Sequence, residues 1–130
     1  MSNWGEIMKG ASGALGVLGK ANPGIMQALS VLSESAQAHH ALDAKTRELI
    51  ALACAATTRC DGCIAIHSAE AVKAGATREE LLEALAIAVN LNAGAATIYS
   101  SRILEAFDQF EQNAPESGGA GCCCSSSAKK

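Results

Sequence analysis

Apolar residues recur at three- and four-residue steps along most of the chain, which is the spacing of one face of an α-helix. The clearest example is the leucine- and alanine-rich run that follows Thr77 and Glu80, two residues placed to form a capping box. No segment has the period of two that is typical of a half-buried β-strand. The pattern therefore predicts an all-α fold, a compact domain of about six helices over residues 1–112.

Capping residues divide the first part of this pattern into helices. Asn3 can cap a first helix that runs toward Lys20. Asn22 and Pro23 favour a second helix, with asparagine as the cap and proline in the first turn. Asp43 is placed to cap a third helix.

The helical pattern is interrupted briefly between Thr57 and Cys63 and then resumes. This interruption predicts that Cys60 and Cys63 lie in or next to the first turn of a fourth helix, which ends at Gly75. A second interruption at residues 92–94 predicts a break between the fifth helix and a last one.

Residues 113–130 have a different composition, dominated by Gly, Ser and Cys. Such a segment buries too little apolar area to offset the entropy of ordering it, so a flexible tail is predicted. It contains Cys122, Cys123 and Cys124, whose role the sequence leaves open.

Charge and apolar content exclude several classes of partner. The net charge is −3 and the basic residues are scattered, apart from Lys129 and Lys130, so no nucleic-acid partner is expected. Asn90, Asn92 and several glycines interrupt the most apolar part, so we expect no membrane-spanning run of roughly 20 residues and no export leader. Adjacent cysteines make a poor disulfide framework, which favours a reducing, cytoplasmic location.

The segment from Glu48 to His67 contains the residues most suited to chemistry. Cys60 and Cys63 form a C-x-x-C pair, which can close a disulfide. The pKa of a cysteine thiol is lowered by a helix N-terminus, a nearby cation such as Arg59, or a second cysteine. His67 follows Cys63 by one helical turn, and Glu48 could reach the same pocket if the third and fourth helices pack together.

Three other interpretations of these residues remain open. A structural zinc site could use Cys54, Cys60, Cys63 and His67, although Cys54 has the sequence context of a small core residue. The cysteine pair could also perform thiol–disulfide exchange, or could simply be buried. His39 and His40 fall in a predicted connector, where histidines are usually solvated, and we expect no metal and no cofactor.

The pattern Glu48-(x)11-Cys60-x-x-Cys63-x-x-x-His67 resembles the alkyl hydroperoxidase D-like (AhpD-like) branch of the carboxymuconolactone decarboxylase superfamily. The flanking segments LDAKTRELIALACAATTR and AVKAGATREELLEALAIAV extend the resemblance over residues 43–107. The decarboxylase branch lacks this cysteine pair, so the resemblance implies reduction of hydroperoxides rather than decarboxylation of a lactone.

The resemblance also implies a role for each site residue. Cys63 would attack the peroxide and become a sulfenic acid, and Cys60 would donate a proton and then close the disulfide. Glu48 and His67 would relay protons. The implied partners are a hydroperoxide, a dithiol reductant or reductase protein, and further copies of the chain in a homotrimer or homohexamer. One departure is Gly62, because relatives with well-developed activity often carry a histidine between the cysteines.

Overall fold

The computed structural model describes residues 2–113, and within that range the chain forms five α-helices and no β-strand. The helices are α1 (Trp4–Ala21), α2 (Pro23–Gln37), α3 (Ala44–Thr58), α4 (Asp61–Lys73) and α5 (Arg78–Gln112). The prediction of an all-α fold is confirmed. Of the predicted tail, only Asn113 belongs to the described part, so Cys122, Cys123 and Cys124 lie outside it.

Side chains cap the helices largely as their sequence predicts. The Asn3 side chain accepts a hydrogen bond from the Glu6 N–H at 3.2 Å, and Asp43 accepts one from the Thr46 N–H at 2.7 Å. Asn22 differs from its prediction, since it precedes α2 without a capping bond from its side chain. Pro23 at the first position of α2 supplies the helical φ angle instead.

The predicted break at residues 92–94 is wrong, because α5 continues through it to Gln112. Asn92 turns its side chain back onto its own helix, where the amide donates to the Ala88 carbonyl at 2.7 Å. Gly94 costs the helix only about 1 kcal/mol relative to alanine, and no proline is present to remove a backbone hydrogen bond. Five helices therefore replace the predicted six.

The chain divides into two units after Gly94. In the first unit, α4 packs against both α3 and α1, and α1 packs against α2. Small side chains allow these helices to approach closely, and the buried apolar residues of the described chain are Leu52, Ala55, Ala65, Ala71 and Ala88. This core holds α3 and α4 side by side, and these are the helices that carry the predicted site.

The second unit begins at Ala95, and its helical part is the C-terminal portion of α5. Within residues 2–113, α5 is the one helix that is long and apolar enough to cross a membrane, judged by length and composition. The expectation from the interrupting asparagines and glycines did not anticipate this helix. Core helices of soluble proteins can have the same length and composition, so these two properties do not place α5 in a membrane.

Candidate functional site

The cysteine pair lies where α3 ends and α4 begins. Arg59 ends α3 in the left-handed conformation (φ 55°), and its N–H donates to the Ala55 carbonyl. Cys60 is then the N-cap of α4, and its Sγ accepts a hydrogen bond from the Cys63 N–H at 3.2 Å. The sulfur thus takes the position that a serine or aspartate oxygen occupies in most helix caps.

Cys60 and Cys63 face each other across this first turn. Their sulfur atoms are within bonding distance, and their Cα atoms are 5.2 Å apart, a separation typical of disulfides. Both residues are half-buried, so the pair is neither exposed on all sides nor sealed inside the core. The N–H groups at the start of α4 and the positive end of its dipole favour negative charge at this position.

Glu48 of α3 and His67 of α4 are brought together although 19 positions separate them in sequence. His67 Nδ1 lies 2.7 Å from Glu48 Oε2, and the two side chains are 37% and 22% exposed. His67 comes one turn after Cys63 on α4, which puts both on the same face of that helix. The packing of α3 on α4 therefore gathers the four predicted site residues, Glu48, Cys60, Cys63 and His67, at one place.

Helix α1 covers the cysteine turn at the position of Gly62. A Cβ atom added to Gly62 would lie 3.0 Å from the Cβ of Ala11, closer than such atoms normally approach. A side chain at position 62 would require Ala11 to move by a few tenths of an ångström. Glycine at this position thus allows the close approach of α1 to α4.

Cys54 was counted among the four candidate zinc ligands. This residue lies on α3 with its side chain exposed, whereas the sequence suggested a small core residue. Among the described residues, no three His, Cys, Asp or Glu side chains are grouped closely enough to hold a metal ion. His39 and His40 are exposed in the connector between α2 and α3, as predicted.

A cavity of about 340 Å³ opens beside the Glu48–His67 pair, and no sequence pattern predicted it. Residues of α2, α3 and α4 line it, among them Arg47 and Gln37. Arg47 donates from Nη1 to the Leu42 carbonyl at 2.5 Å. Its position directly before Glu48 was the only indication in the sequence that it could belong to the site.

Known proteins share both the sequence and this arrangement of helices. Residues 23–106 match the model of the carboxymuconolactone decarboxylase family. The chain belongs to that family. A solved structure of a carboxymuconolactone decarboxylase family protein from Legionella pneumophila, in its apo form, is 43% identical with a TM-score of 0.64, over 82% of this chain and 96% of that one.

Curated relatives in the same family span nearly the same length. An uncharacterized protein of Haemophilus influenzae is 52% identical over 82% of this chain and 94% of its own length. A protein of Paracoccus denitrificans, described as uncharacterized protein 4 in the cox locus, is 38% identical over 80% of this chain and 94% of its own. The descriptions of these relatives state neither a family nor a reaction.

Proposed function

We propose that this family member is a cytoplasmic thiol-dependent peroxidase of the alkyl hydroperoxidase D-like branch, which reduces hydroperoxides through Cys63 and Cys60. The observation that carries the proposal is the 2.7 Å contact between Glu48 and His67, one helical turn from the cysteine pair. A C-x-x-C pair alone would suit many roles. A carboxylate–imidazole pair beside it supplies the acid–base groups that peroxide cleavage requires.

The first step breaks the O–O bond. The Cys63 thiolate attacks the terminal oxygen of the hydroperoxide, a sulfur–oxygen bond forms, and the alkoxide leaves with the electron pair of the O–O bond. Cys63 is oxidised to a sulfenic acid, and the alkoxide becomes an alcohol once it gains a proton. Cys60 supplies that proton and is left as a thiolate.

The second step closes the disulfide. The Cys60 thiolate attacks the Cys63 sulfur, and the S–O bond of the sulfenic acid breaks. The hydroxide that leaves becomes water by taking the proton that His67 had accepted from the Cys63 thiol. The Cα atoms of the two cysteines are 5.2 Å apart, a separation that a disulfide spans. An external dithiol then reduces the disulfide through a mixed disulfide, so each cycle converts one hydroperoxide and one dithiol into an alcohol, water and a new disulfide.

The Glu48 carboxylate orients His67 for this transfer. With the proton on Nδ1, the imidazole donates to Glu48 Oε2 and leaves the lone pair of Nε2 free to accept a proton from a thiol. A protonated imidazole is in turn stabilised by the carboxylate. Glu48 and His67 thus act as a unit that stores and returns one proton.

Replacement of Cys63 by serine tests the proposal. We expect Cys63→Ser to lower peroxide consumption, with dithiothreitol as reductant, by at least roughly a hundredfold, because the hydroxyl is a far weaker nucleophile. Cys54→Ser is the matched control, since Cys54 is an exposed cysteine on α3 that takes no part in the mechanism. Peroxide consumption by Cys63→Ser at the wild-type rate would reject the assignment.

Thiol–disulfide exchange with little peroxidase activity is the second candidate, and the glycine at position 62 favours it. Without a histidine at position 62, the relay of residues that brings a proton to the leaving oxygen lacks one member. Disulfide exchange needs only the two sulfurs. Turnover of a hydroperoxide and of a model disulfide by the wild-type protein separates the candidates. Rapid disulfide reduction with negligible peroxide turnover would favour exchange.

A further inference from the structure

The cavity beside the Glu48–His67 pair has the size of a binding site for a small organic molecule. Its volume of about 340 Å³ is at the lower end of the range of ligand pockets. Leu42 and Ile50 contribute apolar surface, and Glu48 and His67 contribute the acid–base end. A ligand in this cavity would therefore place a hydrocarbon body against the walls and one polar group near His67.

Arg47 contributes a fixed positive charge to the same cavity. The bond from its Nη1 to the Leu42 carbonyl, at 2.5 Å, holds one edge of the guanidinium. A guanidinium has five N–H donors and stays protonated at any physiological pH. The Asp43 carboxylate interacts with the charge of Arg47, but within residues 2–113 no carboxylate lies within ion-pair distance of the guanidinium. Donors thus remain for an anionic ligand.

Arg47 and Glu48 follow each other on α3, so their side chains leave the helix about 100° apart. The Glu48 carboxylate repels an anion near His67, while Arg47 attracts one at its own side of the cavity. A ligand with one carboxylate and one hydroperoxide group has a single favourable orientation in this field. Its carboxylate pairs with Arg47, and its neutral hydroperoxide faces His67.

We propose that the cavity selects organic hydroperoxides that carry a carboxylate, with Arg47 as the residue that determines this specificity. His67 lines the cavity and neither Cys60 nor Cys63 does, and Cys63 lies one helical turn before His67 on α4. The proposal rests on the proposed peroxidase function for the reacting group, and on the cavity alone for the carboxylate. Arginine suits this role because its planar fork can bind both oxygens of a carboxylate.

A binding experiment tests the carboxylate site without any chemistry. Calorimetric titration with 4-isopropylbenzoate and with 2-phenylpropan-2-ol, a neutral compound of similar body, should show the acid binding at least about tenfold more tightly. Arg47→Gln should remove most of that preference, and Arg47→Lys should retain part of it. Arg78→Gln, which alters an exposed arginine at the start of α5 outside the cavity, should leave it unchanged. Equal affinity for the two probes, or an unchanged preference in a folded Arg47→Gln protein, would overturn the proposal.

A kinetic experiment extends the test to hydroperoxides. The kcat/KM ratio of 4-(2-hydroperoxypropan-2-yl)benzoate to cumene hydroperoxide should exceed one in the wild type and fall about tenfold in Arg47→Gln. A ratio that is the same in both proteins would contradict the role of Arg47. If the wild type turned over neither compound but still preferred the benzoate probe, the peroxidase function would fail and the carboxylate site would stand.

Discussion

Gly62 controls how closely α1 approaches the cysteine turn. The Cβ of Ala11 fills the space in front of it, and α1 itself has no buried residue in the described chain. A methyl group at position 62 would therefore push against α1, which has no buried residue, and not against the buried core. This contact matters for chemistry because α1 is the element that covers the cysteine pair at this point.

We expect Gly62→Ala to destabilise the protein because the added methyl costs about 1–3 kcal/mol in overpacking, against about 1 kcal/mol gained in helix propensity. Adding Ala11→Gly should relieve the contact, so the cost of Gly62→Ala should be at least about 1 kcal/mol smaller in that background. Urea unfolding of the four proteins measures this coupling, and Gly13→Ala is the control because a Cβ there meets no described atom within 4 Å. Additive effects would show that α1 does not rest on Gly62.

The four site residues differ in how far the sequence could place them. Cys60 is the N-cap of α4, and Cys63 and His67 follow within the first two turns of that helix. Their relative positions therefore follow from the geometry of an α-helix. Glu48 lies on another helix, and its contact with His67 depends on how α3 packs against α4. The sequence could therefore predict the contact between Glu48 and His67 only on the condition that α3 and α4 pack together. Arg47 was missed because an arginine on a helix is ordinarily solvent-exposed, and no local pattern predicts a cavity.

The carboxylate of Glu80 links the N-terminus of α5 to α3. Glu80 Oε2 accepts from the Thr77 N–H at 2.8 Å and Thr77 Oγ1 accepts from the Glu80 N–H at 3.2 Å, which completes the predicted capping box. Glu80 Oε1 also pairs with Lys45 Nζ at 2.6 Å. The hydrogen bond to Lys45, followed by the one from Thr77, lowers the pKa of Glu80, and the bond to Glu80 raises the pKa of Lys45.

Stability should follow the ionisation of this pair. Because the pKa of Glu80 is lower in the folded state than its ordinary value near 4.5, its contribution is present above that value and lost as the pH falls through the folded pKa. The contribution of Lys45, whose pKa is raised above 10.5, is present below that value and lost as the pH rises further.

We therefore expect Glu80→Gln to lower the free energy of unfolding at neutral pH and to converge with the wild type in acid. Urea titrations at a series of pH values measure the difference. Glu79→Gln is the control because it removes an equal charge from the same first turn without touching Lys45. If Glu79→Gln had the same pH profile, the helix dipole rather than the contact with Lys45 would be responsible.

At the level of whole elements, the sequence predicted helix starts better than helix ends. Starts are marked by side chains that bond to backbone N–H groups, as Asp43 and Thr77 do. The predicted end at residues 92–94 rested on asparagine and glycine, which weaken a helix without terminating it. Asn92 bonds back to the Ala88 carbonyl and so remains compatible with the helix that it was expected to end.

The chain as a whole leaves much apolar surface uncovered along α5. Leu91 is 72% exposed, Ile98 70%, Phe107 64% and Phe110 79%. Monomeric soluble proteins rarely expose so many large apolar side chains on one element, and such surfaces usually contact another chain. We propose that copies of this chain cover α5 in the homotrimer or homohexamer that the resemblance implies. The apolar pattern of α5 suggested that these side chains are buried, yet they are exposed in the single chain. Burial by another subunit would account for both observations.

Phe107→Glu tests that proposal against the membrane-helix alternative raised by the length of α5. If another subunit buries Phe107, its loss removes about 2 kcal/mol at each interface and weakens the dissociation constant roughly thirtyfold. Light scattering after gel filtration without detergent should then show a wild-type multiple of the 13.2 kDa chain, and smaller species for Phe107→Glu. Gln109→Glu is the control, since it adds the same charge about 200° away around the helix. A monomeric wild type would reject assembly, and a protein soluble only in detergent would favour the membrane alternative.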